Sequence, residues 1–380
     1  MATIRSQAGP TVSVPFLDLG PTFAPIRESL LADIDELISS GSFVNGPQVE
    51  SFERAFAELC GRRAAIGMAS GLDALRLALL ACGLEEGDEV IVPAMTFAAS
   101  FEAVIQAGGR PLVVDVLDDD VGIDPAAAAA AMGDRTRFLM PVHLYGQMSD
   151  VAALRAVAAR NGAEIVEDAC QAHGAGRDGI AAGAAGIAAA FSFYPTKNLG
   201  AMGDAGAVVM DDETSIAKAR ALREHGHTSR YHSEYVGYTA RLDTIQALVL
   251  TRKLPLLEGW NEQRRQLAAW YDDALADVGD LRLPIEVEGS THVWHVYAVR
   301  SSMRDALGEF LASRGIGTNR HYPEAPHLMP AFADLGLGEG AFPVAEAIAR
   351  ETISLPFFPG MTEQQQQAVA DAIREFFSGD

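Results

Sequence analysis

Cysteine is scarce in this 380-residue chain: Cys60, Cys82 and Cys170 are its three, with no C-x-x-C spacing. An odd, scattered set argues against a disulfide framework or a zinc site and fits a reducing compartment. Positive charge is short as well. Lys and Arg number 29 against 51 Asp and Glu, a formal net charge of −22. That sign repels a phosphate backbone and argues against nucleic-acid binding. Any anionic small molecule must therefore be met by a local cluster of Arg, Lys and His. Long apolar runs are missing too: the longest weakly polar stretch, Gly179 to Phe193, is mostly Ala and Gly and too short to span a bilayer. Met1 to Pro10 carries no apolar segment of a secretory signal, so the cytoplasm is the expected location. No G-x-G-x-x-G follows the first strand, which removes a dinucleotide-binding reading.

What is present is a large buried core. Hydrophobic residues make up 49% and charged residues 21%, a balance that excludes wholesale disorder. From residue 60 to 210, Val/Ile/Ala-rich runs alternate with helical stretches. Strands are expected at Ala64–Met68, Glu89–Val92, Pro111–Val114, Phe138–Val142, Glu164–Glu167, Ala189–Phe193 and Ala207–Met210. Continuous apolar strands separated by helices predict an α/β fold with a mostly parallel central sheet covered on both faces. Ligands in such sheets sit beyond the carboxyl ends of the strands. After Leu242 the pattern changes to a long helix interrupted at Pro255, then the strand His295–Val299 and helices Met303–Arg314 and Glu363–Phe377. Two domains follow: a large one over 12–250 and a small C-terminal α/β one over 251–380.

Three motifs could carry chemistry. Ser70-Gly71-Leu72-Asp73 lies between a strand and a helix, where Ser70 can cap and the amides beside Gly71 can meet an anion. An ordinary capped helix start explains it equally well. Asp168 directly follows the run Glu164–Glu167, at a strand's carboxyl end, where a buried carboxylate needs a partner; a helix cap is the bland alternative. Lys197 sits in Phe191-Ser192-Phe193-Tyr194-Pro195-Thr196-Lys197-Asn198-Leu199-Gly200, a strand running into a Pro-broken loop. Most loop lysines are simply solvated. Desolvation would make this one nucleophilic.

In their order and spacing the three resemble the DegT/DnrJ/EryC1/StrS family of pyridoxal 5'-phosphate (PLP)-dependent sugar aminotransferases. Also matching are Pro93-Ala94-Met95-Thr96-Phe97, Pro141-Val142-His143-Leu144-Tyr145-Gly146-Gln147, Arg241-Leu242-Asp243 and His321-Tyr322-Pro323. The resemblance implies a fold-type I PLP enzyme built as a homodimer with shared active sites. Lys197 would carry the cofactor as a Schiff base and move protons. Asp168 would pair with the pyridine nitrogen, Gln171 with the phenolic oxygen, and Phe97 would stack on the ring. Gly71, Leu72 and Ser192 would hold the phosphate. Two departures stand out: Leu72 occupies a common Thr position, and Thr239 replaces an Asn that reaches the partner subunit's phosphate. Both replace a side-chain contact with something shorter or absent.

The stretch Arg223 to His232 is read as a basic loop that meets a nucleotide-sugar diphosphate through Arg223 and Arg230, not as a metal site. Tyr194, His321 and Tyr322 are expected at the substrate, and His143 and His173 are assigned to structure. The residues around Lys197 resemble members that aminate a 3-keto sugar, so the expected substrates are a dTDP-3-keto-6-deoxyhexose and L-glutamate. The alternatives are a 4-keto sugar aminotransferase of the same family and a non-catalytic regulatory protein on the same fold. Lys197 itself argues against the family's dehydratases, which carry His there.

Overall fold

The structure, a computed structural model, describes residues 12–379; the segment Met1 to Pro10 lies outside the described residues. Seven strands form the central sheet: β1 (Ala64–Met68), β2 (Glu89–Pro93), β3 (Arg110–Val114), β4 (Thr136–Leu139), β5 (Glu164–Asp168), β6 (Ala188–Ser192) and β7 (Gly206–Met210). Their spatial order is β1-β7-β6-β5-β4-β2-β3. Pairs from β6 to β3 are parallel, whereas β7 runs antiparallel to both neighbours. The reason is the connection. Between β6 and β7 the chain forms no covering helix, and without a crossover the next strand must run back. That helix-free connection carries Lys197.

Side-chain size along β6 sets how closely helices approach. Ala188 and Ala190 face one core, with Leu75, Leu77 and Leu79 of the helix Gly71–Ala81. Ala189 and Phe191 face the other, where Phe56 meets Phe191 edge-on at 5.0 Å between ring centroids. Each fully buried Leu or Phe on these faces contributes about 1.5–3 kcal/mol. Phe52 and Phe56 come from the helix Pro47–Leu59, which with Arg27–Ser40 precedes β1; the strand–helix alternation after residue 60 does not announce either helix. The chain after Leu257 builds its own cluster around Tyr271, Leu275, Leu307 and Ile373, over the strand pair Tyr297–Arg300 and Thr352–Leu355. Val14 joins that cluster and bridges to Ile316, so the start of the described chain is stitched to the C-terminal layer. Among the described residues no helix is long and apolar enough to cross a membrane.

One buried carboxylate fixes the turn entering β6. Glu167 on β5 is fully buried. It accepts from the amides of Gly183 (2.9 Å), Ala185 (2.7 Å) and Gly186 (2.8 Å) and contacts His143 Nε2 at 3.0 Å. Burial pushes its pKa up, but His143 and the amides outweigh that and hold it below the usual carboxylate range. A folded-state pKa that is depressed gives stability present above the unfolded pKa and lost as pH falls through the folded one. Glu167→Gln should therefore cost about 1–3 kcal/mol at neutral pH. In urea melts the gap between parent and variant should close below about pH 4; a gap independent of pH would contradict the assignment.

Candidate active site

The carboxyl ends of β1, β2, β5 and β6 open on one cleft of about 590 Å³. Ten of the residues singled out by sequence line it: Gly71, Leu72, Phe97, Asp168, Gln171, Ser192, Tyr194, Lys197, His321 and Tyr322.

An anion seat lies at one end. Ser70 caps the helix Gly71–Ala81 through its side chain and the amide of Asp73 at 3.1 Å. The amides of Gly71 and Leu72 then have no partner among the described residues, and they point to the positive end of the helix dipole. A Cβ on Gly71 would stand 2.6 Å from Ser192 Cβ, and one on Gly206 only 2.3 Å from the Ser70 carbonyl oxygen. Both glycines are required by close approach. They seat the helix start against β6 and β7, with the Ser192 hydroxyl alongside.

Asp168 is buried at 6% exposure. Its carboxylate accepts from the Ser100 hydroxyl at 2.8 Å and from the Cys170 amide at 3.2 Å, and Ser100 meets Thr96 Oγ1 at 2.7 Å. Ser100 is a contributor that sequence reading misses: one polar side chain on an Ala-rich helix gives no motif, and only the fold points it at β5. Those two donors hold the carboxylate in place at the strand end, where it lines the cleft.

Lys197 is half-buried at the turn of the β6–β7 connection. Burial lowers its pKa, opposed by Cys170 and Asp168, so a larger share is the free amine near neutral pH. The loop is held at both ends: Phe193 and Ala201 share bonds of 2.8 Å with Ala205 and Phe193. Lys253, itself buried, donates to the Gly200 carbonyl at 2.8 Å and stands 3.5 Å over the Phe23 ring. Phe97 leaves 54% of its surface open, with Tyr322 at 5.3 Å between ring centroids. It is a flat apolar wall suited to a planar ligand. His321 is kept neutral, its pKa lowered to about 4 by burial and then by Lys197.

The remaining placements differ. The Gln171 amide is already engaged, its oxygen accepting from the Tyr145 amide at 2.7 Å and its nitrogen donating to Tyr322 Oη at 3.1 Å. Only one N–H is left for a ligand. Arg223 does not reach the cleft of its own chain: its guanidinium is bound to Glu53 at 2.5 Å and to the Gly67 carbonyl at 2.9 Å, an ion pair that fixes it behind β1. Arg230 and Thr239 also lie outside that cleft. Arg230 is exposed on the hairpin His227–Ser229/His232–Ser233, stacked near Tyr231, and Thr239 Oγ1 faces His225 Nε2 at 3.4 Å. Among the described residues no group of three or more His, Cys, Asp or Glu converges as a metal site. His173 sits wholly buried beside Phe191 and Phe193.

The arrangement can bind a planar ring with an anionic end at Gly71, a cationic atom at Asp168 and an electrophilic carbon at Lys197. The chain as a whole is similar to known proteins. A profile described as the DegT/DnrJ/EryC1/StrS aminotransferase family matches residues 25–374. The dTDP-3-amino-3,4,6-trideoxy-alpha-D-glucose transaminase of Streptomyces venezuelae is 44% identical over 98% of each chain. A "pleiotropic regulatory protein" of Geobacillus stearothermophilus is 43% identical over 96% of this chain and 99% of its own. Among solved structures, S. venezuelae DesV in complex with a ketimine intermediate superposes with a TM-score of 0.94 at 45% identity, covering 96% of this chain and 99% of that one.

Ser100→Ala removes a donor to a carboxylate with little access to water. The expected cost is about 1–3 kcal/mol, read as a lower urea midpoint at unchanged slope. An unchanged midpoint would show that the hydroxyl does not support Asp168.

Proposed function

Because the chain belongs to the DegT/DnrJ/EryC1/StrS aminotransferase family, we propose that it transfers the amino group of L-glutamate to C3 of a dTDP-linked 3-keto-6-deoxyhexose, using PLP held in the cleft. The family is PLP-dependent, and the chain is an aminotransferase. The observation that carries the reading is the meeting of Lys197, Asp168 and a free helix N-terminus in one cleft. Two of these could be chance; the three together match a phosphorylated pyridine ring.

The residues present fit that cofactor. The unpartnered amides of Gly71 and Leu72 and the Ser192 hydroxyl would hold its phosphate. Leu72 offers only its backbone, since its side chain has no donor. Asp168, braced by Ser100, would keep the ring nitrogen protonated. Phe97 would cover one face and exclude water from it. The remaining N–H of Gln171 would reach the ring oxygen. When bound, the cofactor supplies an electron sink for the carbon that gains or loses the amine. Lys197 would take the proton from that carbon and return it, a task suited to an amine whose pKa burial has lowered. Tyr194, half-exposed at the rim, and neutral His321 and Tyr322 would line the sugar side. The 3-keto assignment is supported by the S. venezuelae transaminase, named for a 3-amino sugar.

The substrate's diphosphate poses an electrostatic problem. Glu102, Asp168 and Asp204 line the cleft, and Lys197 is the one Lys or Arg among the described residues there. Cations must come from elsewhere. The exposed hairpin bearing Arg230, with Tyr231 83% and Val236 93% exposed nearby, is suited to closing the cleft of a second copy. We therefore read the working unit as a homodimer, with Arg230 at the diphosphate and Thr239 near the cofactor phosphate of the partner's site.

Holoprotein should be yellow, and borohydride should fix the cofactor's mass on the Lys197 peptide. Lys197→Ala should lose both that label and at least about 10²-fold of activity, and the parent should turn over dTDP-3-keto sugars faster than 4-keto ones. Activity retained by the variant would refute the role of Lys197, and 4-keto preference would refute the regiochemistry. Mixing inactive Lys197→Ala subunits with Arg230→Ala subunits tests the shared site. A heterodimer regains one intact site if Arg230 serves its partner. It regains none if each chain is self-contained.

A further inference from the structure

A buried chain of amides ends on a histidine that neither sequence motifs nor the reading above uses. His295 lies just before the strand Tyr297–Arg300, lines the cleft with Lys197, and is 8% exposed. Its Nδ1 faces Asn198 Oδ1 at 3.1 Å. Asn198 Nδ2 in turn lies 2.9 Å from Asn261 Oδ1 and 2.7 Å from the Val293 carbonyl oxygen. Asn261 Nδ2 lies 2.9 Å from the His173 carbonyl oxygen.

Two main-chain carbonyls anchor this chain, those of His173 and Val293, and a carbonyl can only accept. Asn261 must turn its nitrogen to His173, so it offers oxygen to Asn198. Asn198 must turn its nitrogen to Val293 and Asn261, so it offers oxygen to His295. The ring nitrogen that meets that oxygen must carry the proton. His295 is thereby fixed as the Nδ1–H tautomer, and its Nε2 is a bare acceptor. No group among the described residues bonds Nε2. Burial, reinforced by the charges of Lys197 and Arg264, lowers the pKa of the ring well below its ordinary value, so the acceptor stays unprotonated.

We propose that His295 is a specificity residue whose Nε2 accepts a hydrogen bond from a hydroxyl of the sugar next to the carbon that exchanges its amine. An acceptor suits a hydroxyl and repels a carboxylate. The same cleft must take a hydroxyl-bearing sugar and L-glutamate in turn; glutamate's two carboxylates only accept, and its one donor, the α-ammonium, is the group that it gives up in the reaction. Nε2 therefore favours one substrate without helping the other. This inference rests on the function proposed above.

Two substitutions separate the ring's two nitrogens. His295→Asn keeps a donor for Asn198 and removes Nε2; His295→Gln places an amide oxygen where Nε2 stood. Calorimetry on the holoenzyme would measure dissociation constants for a dTDP-3-amino-3,6-dideoxyhexose, for dTDP and for L-glutamate. His295→Asn should weaken the amino-sugar nucleotide about tenfold and leave dTDP and glutamate within about twofold, with His295→Gln restoring much of the loss. Equal weakening of all three ligands, or of none, would overturn the proposal, as would a Gln variant no better than Asn. A parent protein that binds dTDP but not the amino-sugar nucleotide would sink the substrate reading and the inference together. A parent that binds it, alongside an Asn variant that binds it equally well, would sink the inference alone.

Discussion

There is no room for a methyl group where the helix beginning at Gly71 meets the sheet. Ser192 of β6 crowds Gly71, and the Ser70 carbonyl at the helix start crowds Gly206 of β7. That contact places the positive end of a helix at the same edge as the lysine loop, which begins right after Ser192. Larger residues would push the anion seat away from the lysine, and the two would no longer serve one ligand. The all-alanine start of β6 serves the same end, because small side chains let the helix lie close to the strand.

Much of the sheet was legible from sequence because each strand is a short apolar run between helices. All seven expected strands appear, from Ala64–Met68 to Gly206–Met210, with most ends within a residue; the run expected at Phe138–Val142 forms a strand over Thr136–Leu139. The direction of β7 was not legible. Periodicity reports burial, and a strand buried on both faces reads the same whichever way it runs. The cleft residues from Gly71 to Tyr322 were legible because they sit at strand ends in recognisable motifs. Arg223 misled because a charge in a basic stretch gives no hint that Glu53, 170 residues away, has already claimed it. Ser100 and His295 left no signal at all, since their meaning comes from what the fold sets beside them.

The acidity of the chain and the composition of its cleft are one problem seen at two scales. A net charge of −22 is tolerated on the surface, where water screens it. Inside the cleft Asp168 needs a cation, and carboxylates already outnumber basic side chains. In the reading proposed above, a pyridinium would answer Asp168, and Arg230 of a second copy would answer a diphosphate.

The loop that carries Lys197 leaves one strand and enters its immediate neighbour, with ends zipped by main-chain bonds and its far side tied to Lys253. Such a segment has lost its freedom when the sheet forms. The amine can swing on its four-carbon tether but cannot drift with the backbone. In kinetic terms, a base carried here would arrive at the reacting carbon already concentrated: the entropy of bringing it there would be spent once in folding, and each turnover would draw on a high effective molarity without incurring that cost again.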